Sequence, residues 1–201
     1  SLGLTSYNCG RNGSNIIYGA AILPAALEGT HRPKLIILDI AAKEIAKRSD
    51  KDGDDVLAGM ILPYVLTNPR FEALAKDLFP KELYKAKVSK LYAYNSLLLS
   101  IIRNYSRSDN DNINGYQPLP GSKLKNDPEA FTSGRDGIDE YAKEHLELFV
   151  KSVTDKKIPL VVILSPMYTL PFKENESLTV CRQILAKYNI ELWDYSTDPR
   201  Y

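Results

Sequence analysis

The sequence predicts an α/β fold, a three-layer α/β/α sandwich of the flavodoxin-like kind with a mainly parallel sheet. Two continuous apolar runs of strand length, residues 35–40 and 158–164, are typical of parallel strands buried on both faces. Segments with helical periodicity surround these runs, and helices that connect parallel strands cover both faces of a sheet. At 201 residues and 44% hydrophobic, the chain can bury one good core, so residues 1–201 are predicted to form a single domain.

The first predicted unit is a βαβ unit. An extended segment over residues 5–9 enters a turn that contains Gly13. Ser14 or Asn15 can then cap a helix over about 15–28, which the first apolar run follows. Free N–H groups at such a helix start favour an anion or an oxyanion, although a cap that binds nothing fits the same residues.

A mostly helical region follows, over about 54–107. Seven of its side chains fall at helical spacing and are predicted to face the core: Val88, Leu91, Tyr92, Asn95, Leu98, Leu99 and Ile102. Residues 106–137 are rich in Ser, Asp, Asn, Gly, Pro and Lys. A loop of this length is either a functional lid or a disordered segment.

The last part of the chain alternates helices with strands. An amphipathic helix over about 137–154 leads into the second apolar run. A helix over about 174–188 then precedes a short strand at 190–193.

Ligands of parallel sheets bind at the carboxyl ends of the strands. The loops expected there span residues 10–15, 39–44, 165–168 and 194–198, so they form one predicted mouth. The side chains predicted to line it for substrate binding are Asn12, Ser14, Asn15, Ser165 and Tyr168.

Composition excludes several function classes. The 26 basic and 25 acidic residues give a net charge of +1, which indicates no nucleic-acid partner and no anionic membrane surface. The longest apolar run, residues 16–27, is too short to span a bilayer, so no transmembrane segment is predicted. Cys9 and Cys181 match no metal spacing and no disulfide framework, and nothing calls for a cofactor.

The two histidines are predicted to be structural. His31 precedes a strand, at the end of the sheet opposite the mouth, and His145 shares a helical face with apolar residues. A Ser-His-Asp triad therefore cannot be assembled from these residues.

An ordered set of motifs carries a family resemblance. The first motif, at residues 7–14, is Tyr-Asn-x-Gly-x-x-Gly-Ser, and a predicted helix follows it. The second is Pro-Lys-Leu-Ile-Ile-Leu-Asp, which ends at Asp39, and the third is Val-Val-Ile-Leu-Ser-Pro, which ends at Pro166. The fourth is Asp-Tyr-Ser-x-Asp-Pro, which begins at Asp194. Together these motifs resemble the SGNH (GDSL-type) hydrolase superfamily. They are most similar to its sugar-esterase-like members, which are common in gut Bacteroidetes.

The resemblance implies roles for two residues. Gly13 corresponds to the glycine whose backbone N–H helps form the oxyanion hole of the family. Lys43 stands where the third motif of the family usually has an oxyanion-binding Asn. Lys43 is either a mobile donor to the oxyanion or an exposed lysine at a helix start.

The Ser nucleophile of the family and its Asp-x-x-His motif have no counterpart in this sequence. Asp194 and Asp198 lie near the expected place, but no His follows them at the right interval. We therefore expect further residues before Ser1 and after Tyr201. The first strand of the family lies inside its sheet, so its loss would leave unpaired backbone groups. A continuous sheet made by this chain alone would contradict the strand assignment.

Three functions remain open at this point. The leading one is an ester hydrolase that removes a small acyl group, such as acetyl, from a carbohydrate. The second is a noncatalytic SGNH-like domain that binds a glycan or a protein partner, which the replacement by Lys43 favours. The third is a flavodoxin-like binder of a nucleotide or phosphate, although the turn lacks a P-loop Lys-Ser/Thr.

Overall fold

The computed structural model describes residues 5–11, 13–29, 31–47, 52–94, 102, 137–165 and 175–196. The chain divides into two compact units, which we call the helical unit (residues 1–14 and 51–125) and the sheet unit (residues 15–50 and 126–201).

The described residues form a mixed α/β structure, as predicted. The helices are α1 (Ile16–Glu28), α2 (Asp52–Ile61), α3 (Pro69–Leu78), α4 (Pro80–Val88), α5 (Glu140–Asp155) and α6 (Glu176–Lys187). The strands are β1 (Ile36–Ile40), β2 (Leu160–Leu164) and β3 (Leu192–Asp194). Short 3₁₀ helices follow α2 at Leu62–Tyr64 and α4 at Tyr92–Tyr94.

The sheet unit contains a parallel sheet with the strand order β1-β2-β3. Leu38 pairs with Val162, which pairs with Leu192. The apolar runs thus form strands where the sequence predicts them, because their side chains can be buried beside neighbouring parallel strands.

The helices of the sheet unit begin at capping side chains. Asn15, Asp139 and Asn175 each accept a hydrogen bond from the N–H three residues on, at the starts of α1, α5 and α6. α1 packs against α5, and α5 packs against both β2 and α6. The predicted helices over 15–28, 137–154 and 174–188 are confirmed to within a few residues.

The two faces of the sheet differ in burial. Ile40, Val162, Leu164 and Leu192 point to one face and are at most 6% exposed. The other face, which we call the open face, presents Leu35, Ile37, Val161, Ile163 and Trp193. Ile37 is 61% exposed and Trp193 is 48% exposed. One face is therefore buried, whereas Ile37 on the other face is exposed, so the prediction that β1 is buried on both faces is wrong.

The prediction of a strand over residues 5–9 is wrong. These residues are exposed and form no β-ladder in the described structure. Asn8 accepts a hydrogen bond from the N–H of Gly10 at 2.8 Å, and such a local bond competes with strand pairing. The three described strands pair without a gap and without this segment, so the predicted βαβ unit that starts at residue 5 is also wrong.

The helical unit buries an apolar core along α2, α3 and α4. Asn68 caps α3, and Pro69 and Pro80 occupy the first turns of α3 and α4, where a missing N–H costs nothing. The buried side chains of the described part are Leu57, Ala58, Met60, Ile61, Leu62, Val65, Phe71, Leu74, Ala75, Phe79, Leu83, Ala86 and Ala93.

The predicted core-facing stripe that starts at Val88 is wrong at three positions. Val88, Leu91 and Ile102 are 71%, 74% and 58% exposed. α4 ends at Val88, so one helical period does not continue from that residue to Leu91. α4 instead buries Leu83 and Ala86. Asn95, Leu98 and Leu99 lie outside the described residues.

Over the part of the chain that the structure describes, no helix combines the length and the apolar character needed to cross a bilayer. The predicted lid over 106–137 lies outside the described residues, apart from Gly137.

Candidate functional site

Asp39 and Ser165 meet at the carboxyl ends of neighbouring strands in the sheet unit. Asp39 lies near the end of β1, and Ser165 directly follows β2. The hydroxyl of Ser165 donates to Oδ2 of Asp39 at 2.7 Å, and its backbone N–H donates to Oδ1 at 3.3 Å. The pair places a carboxylate and a hydroxyl at the edge of the sheet where such folds bind ligands.

A second polar group lies at the end of β3. Asp194 accepts hydrogen bonds from the N–H and the hydroxyl of Ser196, at 3.0 and 2.6 Å. Arg182 of α6 pairs with its other oxygen at 2.6 Å. Partial burial raises the pKa of Asp194, but the hydrogen bonds from Ser196 and the charge of Arg182 outweigh it and hold the pKa below its usual value. Asp194 thus joins β3 to α6 on the buried side of the sheet.

The start of α1 already holds a carboxylate. Oε1 of Glu44 accepts the N–H of Ile16 at 2.5 Å, and Oε2 accepts the N–H of Ala41 at 3.0 Å. Asn15 caps the N–H of Tyr18 at 3.2 Å. The sequence predicts that backbone N–H groups at this helix start can bind an external anion. Two of them, those of Ile16 and Tyr18, instead donate to side chains of the chain itself.

Asn15 also carries a buried donor with no partner. Its Oδ1 is fixed by the contact with Tyr18, so Nδ2 points the other way. That Nδ2 atom is inaccessible to solvent and makes no hydrogen bond among the described residues. Asn15 is thus the capping residue of α1.

Gly13 lies in the helical unit, in a turn whose geometry is fixed locally. The N–H of Ser14 donates to the carbonyl of Arg11 at 2.9 Å, and the Ser14 hydroxyl accepts the N–H of Arg11 at 3.4 Å. Gly13 itself has a φ of +77°, and a Cβ added there would lie 3.0 Å from Cγ1 of Val56. None of the described hydrogen bonds uses the N–H of Gly13. That N–H is therefore left as a possible donor.

Lys43 lies half-buried in the turn that follows β1, next to Glu44. It is therefore neither exposed nor at a helix start, contrary to one of the two interpretations of this residue. Three of the other residues assigned to the predicted mouth lie outside the described residues, namely Asn12, Tyr168 and Asp198.

The described part of the chain offers no evident general base. His31 is exposed in the turn before β1, away from the carboxyl ends of the strands, as predicted. His145 uses Nδ1 to donate to the carbonyl of Tyr141 at 2.8 Å. Burial and the nearby Glu44 raise the pKa of the Cys181 thiol to about 12, so it remains protonated at neutral pH. No group of three His, Cys, Asp or Glu side chains in this part is arranged to hold a metal ion.

Sequence reasoning missed three contacts of this site: Asp39 with Ser165, Glu44 with the start of α1, and Arg182 with Asp194. The contact between Asp39 and Ser165 has a sequence signature, because each residue lies at the end of an apolar run. The carboxyl ends of parallel strands meet at one edge of the sheet. The contact of Glu44 spans 28 positions and has no local signature in the sequence.

Comparison of the chain with family models, curated proteins and solved structures finds no match. The resemblance to SGNH hydrolases therefore depends on the sequence motifs alone.

Proposed function

We propose that the chain is part of an SGNH-type ester hydrolase that removes a small acyl group, such as acetyl, from a carbohydrate. The observation that carries the proposal is the turn at Gly13, where a left-handed glycine leaves its N–H without a described partner. Backbone N–H groups of this kind stabilise the oxyanion of ester hydrolysis. The sheet unit supports the proposal separately, because its carboxyl edge carries the Asp39–Ser165 pair.

The proposed chemistry is a two-step acyl transfer. A Ser outside residues 1–201 attacks the ester carbonyl carbon, and its proton passes to a His that also lies outside them. The N–H of Gly13 donates to the oxyanion that forms. The sugar hydroxyl leaves with the proton from His, and water then hydrolyses the acyl-enzyme. The proposal includes no cofactor, no nucleic-acid partner and no metal.

The proposal also includes the three-layer form of the fold. That form requires a second helical layer over the open face, near Leu35 and Ile37. The carboxyl ends of the strands stay accessible in such folds, because ligands bind in the crevice outside them.

Labelling of the natural protein that contains this chain tests the mechanism. A fluorophosphonate probe reacts with activated serines, and peptide mapping then locates the labelled residue. We expect one labelled serine outside residues 1–201, together with p-nitrophenyl acetate hydrolysis that disappears when this serine is changed to Ala. Folded protein that shows neither labelling nor turnover would contradict the proposal.

A noncatalytic binding domain is the second candidate, and one contact favours it. The carboxylate of Glu44 already occupies the start of α1, so an external anion gains little there. The same contact disfavours a phosphate at that helix start, and with it the nucleotide-binding alternative. Absence of labelling and turnover in a folded protein that still binds a glycan would support this second candidate.

A further inference from the structure

Three side chains form a row across the open face of the sheet. Asp39 pairs with Ile163, and Ile163 pairs with Trp193, so the three side chains point to the same side. Neighbouring strands lie about 4.8 Å apart, which puts Asp39 and Trp193 about 10 Å from each other. The row therefore has a carboxylate at one end, an aromatic ring at the other and an aliphatic floor between them.

The Asp39 carboxylate at the polar end of the row has a fixed orientation and can accept further hydrogen bonds. Ser165 makes both of the hydrogen bonds to Asp39 among the described residues, and they fix the carboxylate at the edge of the sheet. An ionised carboxylate accepts about four hydrogen bonds, so further donors can be accommodated. Asp39 is exposed to solvent, where a ligand can reach it. Its negative charge disfavours anionic ligands such as phosphates.

The aromatic end of the row is Trp193. This residue is 48% exposed, although an indole normally gains from burial. Ile163 beside it is half-buried, so the floor of the row is also partly accessible. A flat aromatic ring suits a ligand that combines an apolar face with a hydroxylated rim.

We propose that this row binds a neutral saccharide. The apolar face of one sugar ring stacks on Trp193, the next sugar lies over Ile163, and its hydroxyls donate to Asp39. The inference rests on the proposed function, since a carbohydrate is the alcohol part of the proposed ester. It assigns binding roles to Asp39 and Trp193 that the sequence motifs do not indicate.

Fluorescence titration tests the inference directly, because Trp193 is the only tryptophan of the chain. The probes are chitotriose, which is neutral and acetylated, cellotriose, which is neutral and unacetylated, and the cationic chitosan trimer. We expect a saturable change of Trp193 emission with at least one of the two neutral trimers. Saturation with the cationic trimer alone would overturn the inference, since it would indicate an amine site formed by Asp39.

Variants locate the site by calorimetry, which does not depend on the tryptophan. Trp193→Ala removes the stacking surface and is expected to weaken binding of the trimer about tenfold or more. Asp39→Asn keeps an acceptor for Ser165 but loses the charge, and about a tenfold loss is expected. Asp194→Asn is the matched control, because Asp194 pairs with Arg182 on the buried side of the sheet. Equal losses in all three variants would contradict the assignment.

The two proposals fail in different ways. Hydrolysis of p-nitrophenyl acetate without any saturable binding of the neutral trimers overturns the saccharide row and leaves the hydrolase. Saccharide binding that depends on Trp193 and Asp39, in a folded protein that the fluorophosphonate probe does not label, overturns the hydrolase proposal and supports the saccharide row. Circular dichroism of each variant confirms that the sheet unit remains folded.

Discussion

At the scale of single residues, Gly13 has a left-handed backbone, with a φ of +77°. We expect Gly13→Ala to lower the free energy of unfolding by about 1–2 kcal/mol, because an L-residue is strained at positive φ. The added Cβ would also approach Val56 to 3.0 Å. Equilibrium unfolding in urea measures the effect.

Gly19→Ala is the control for this substitution. Gly19 lies inside α1, and a Cβ there would meet its nearest neighbours at 3.9 Å. We expect a gain of about 0.5–1 kcal/mol, since Ala favours a helix interior over Gly. The double variant Gly13→Ala with Val56→Ala separates the steric contact with Val56 from the backbone strain at positive φ, because it removes only the contact. A Gly13→Ala protein as stable as the parent would contradict the left-handed turn.

The two cysteines are expected to differ in reactivity. Cys9 is exposed, whereas Cys181 is buried in α6 and burial raises the pKa of its thiol to about 12. The thiolate is the reactive form, so iodoacetamide at pH 8 should modify Cys9 and leave Cys181 unmodified until the chain unfolds. Mass spectrometry of the tryptic peptides reads both sites. Modification of Cys181 at the rate of Cys9 in folded protein would contradict its burial.

At the scale of elements, Glu44 stabilises the start of α1 and the turn after β1 at once. We expect Glu44→Gln to cost about 1 kcal/mol of stability, because Gln keeps one acceptor oxygen for the two backbone donors. Glu44→Ala should cost about 2 kcal/mol, because both donors lose their acceptor. Hydrogen exchange of the Ile16 amide should accelerate in both variants. Glu191→Gln is the control, since Glu191 is exposed before β3. Equal effects at the two positions would exclude a specific role for Glu44.

The contact between Arg182 and Asp194 links α6 to β3 and predicts a pH dependence. The folded state lowers the pKa of Asp194 below its usual value. Its stabilising contribution is therefore present above about pH 4 and is lost as the pH falls through the lowered pKa. Thermal unfolding between pH 2 and pH 6 should show a smaller acid loss in Asp194→Asn than in the parent. An identical acid loss in both proteins would indicate that the pair contributes nothing.

Strands and helices were predictable where the hydrophobic pattern of the sequence was clear. β1 and β2 follow from continuous apolar runs, and α5 and α6 follow from the helical spacing of their apolar residues. The predicted strand over residues 5–9 is absent because a local hydrogen bond from the N–H of Gly10 to the Asn8 side chain competes with strand pairing.

The site was less predictable than the elements. The rule for parallel sheets placed Ser165 at the correct edge. Its partner Asp39 lies 126 positions away, and only the strand register shows that the two side chains meet. The same holds for Glu44, whose position across the start of α1 depends on the packing of the whole sheet unit.

At the scale of the whole molecule, the emission of Trp193 and hydrogen exchange along β1 together decide between an open sheet and a three-layer sandwich. Because Trp193 is about half exposed, we expect strong acrylamide quenching and only a small red shift on unfolding in guanidinium. A second helical layer that covered the carboxyl ends of the strands would instead shift the Trp193 emission to the blue and protect it from acrylamide quenching. A layer over Leu35 and Ile37 alone would leave the emission unchanged and would slow hydrogen exchange along β1. Protected emission together with loss of trimer binding would show that polypeptide, rather than a saccharide, occupies the open face.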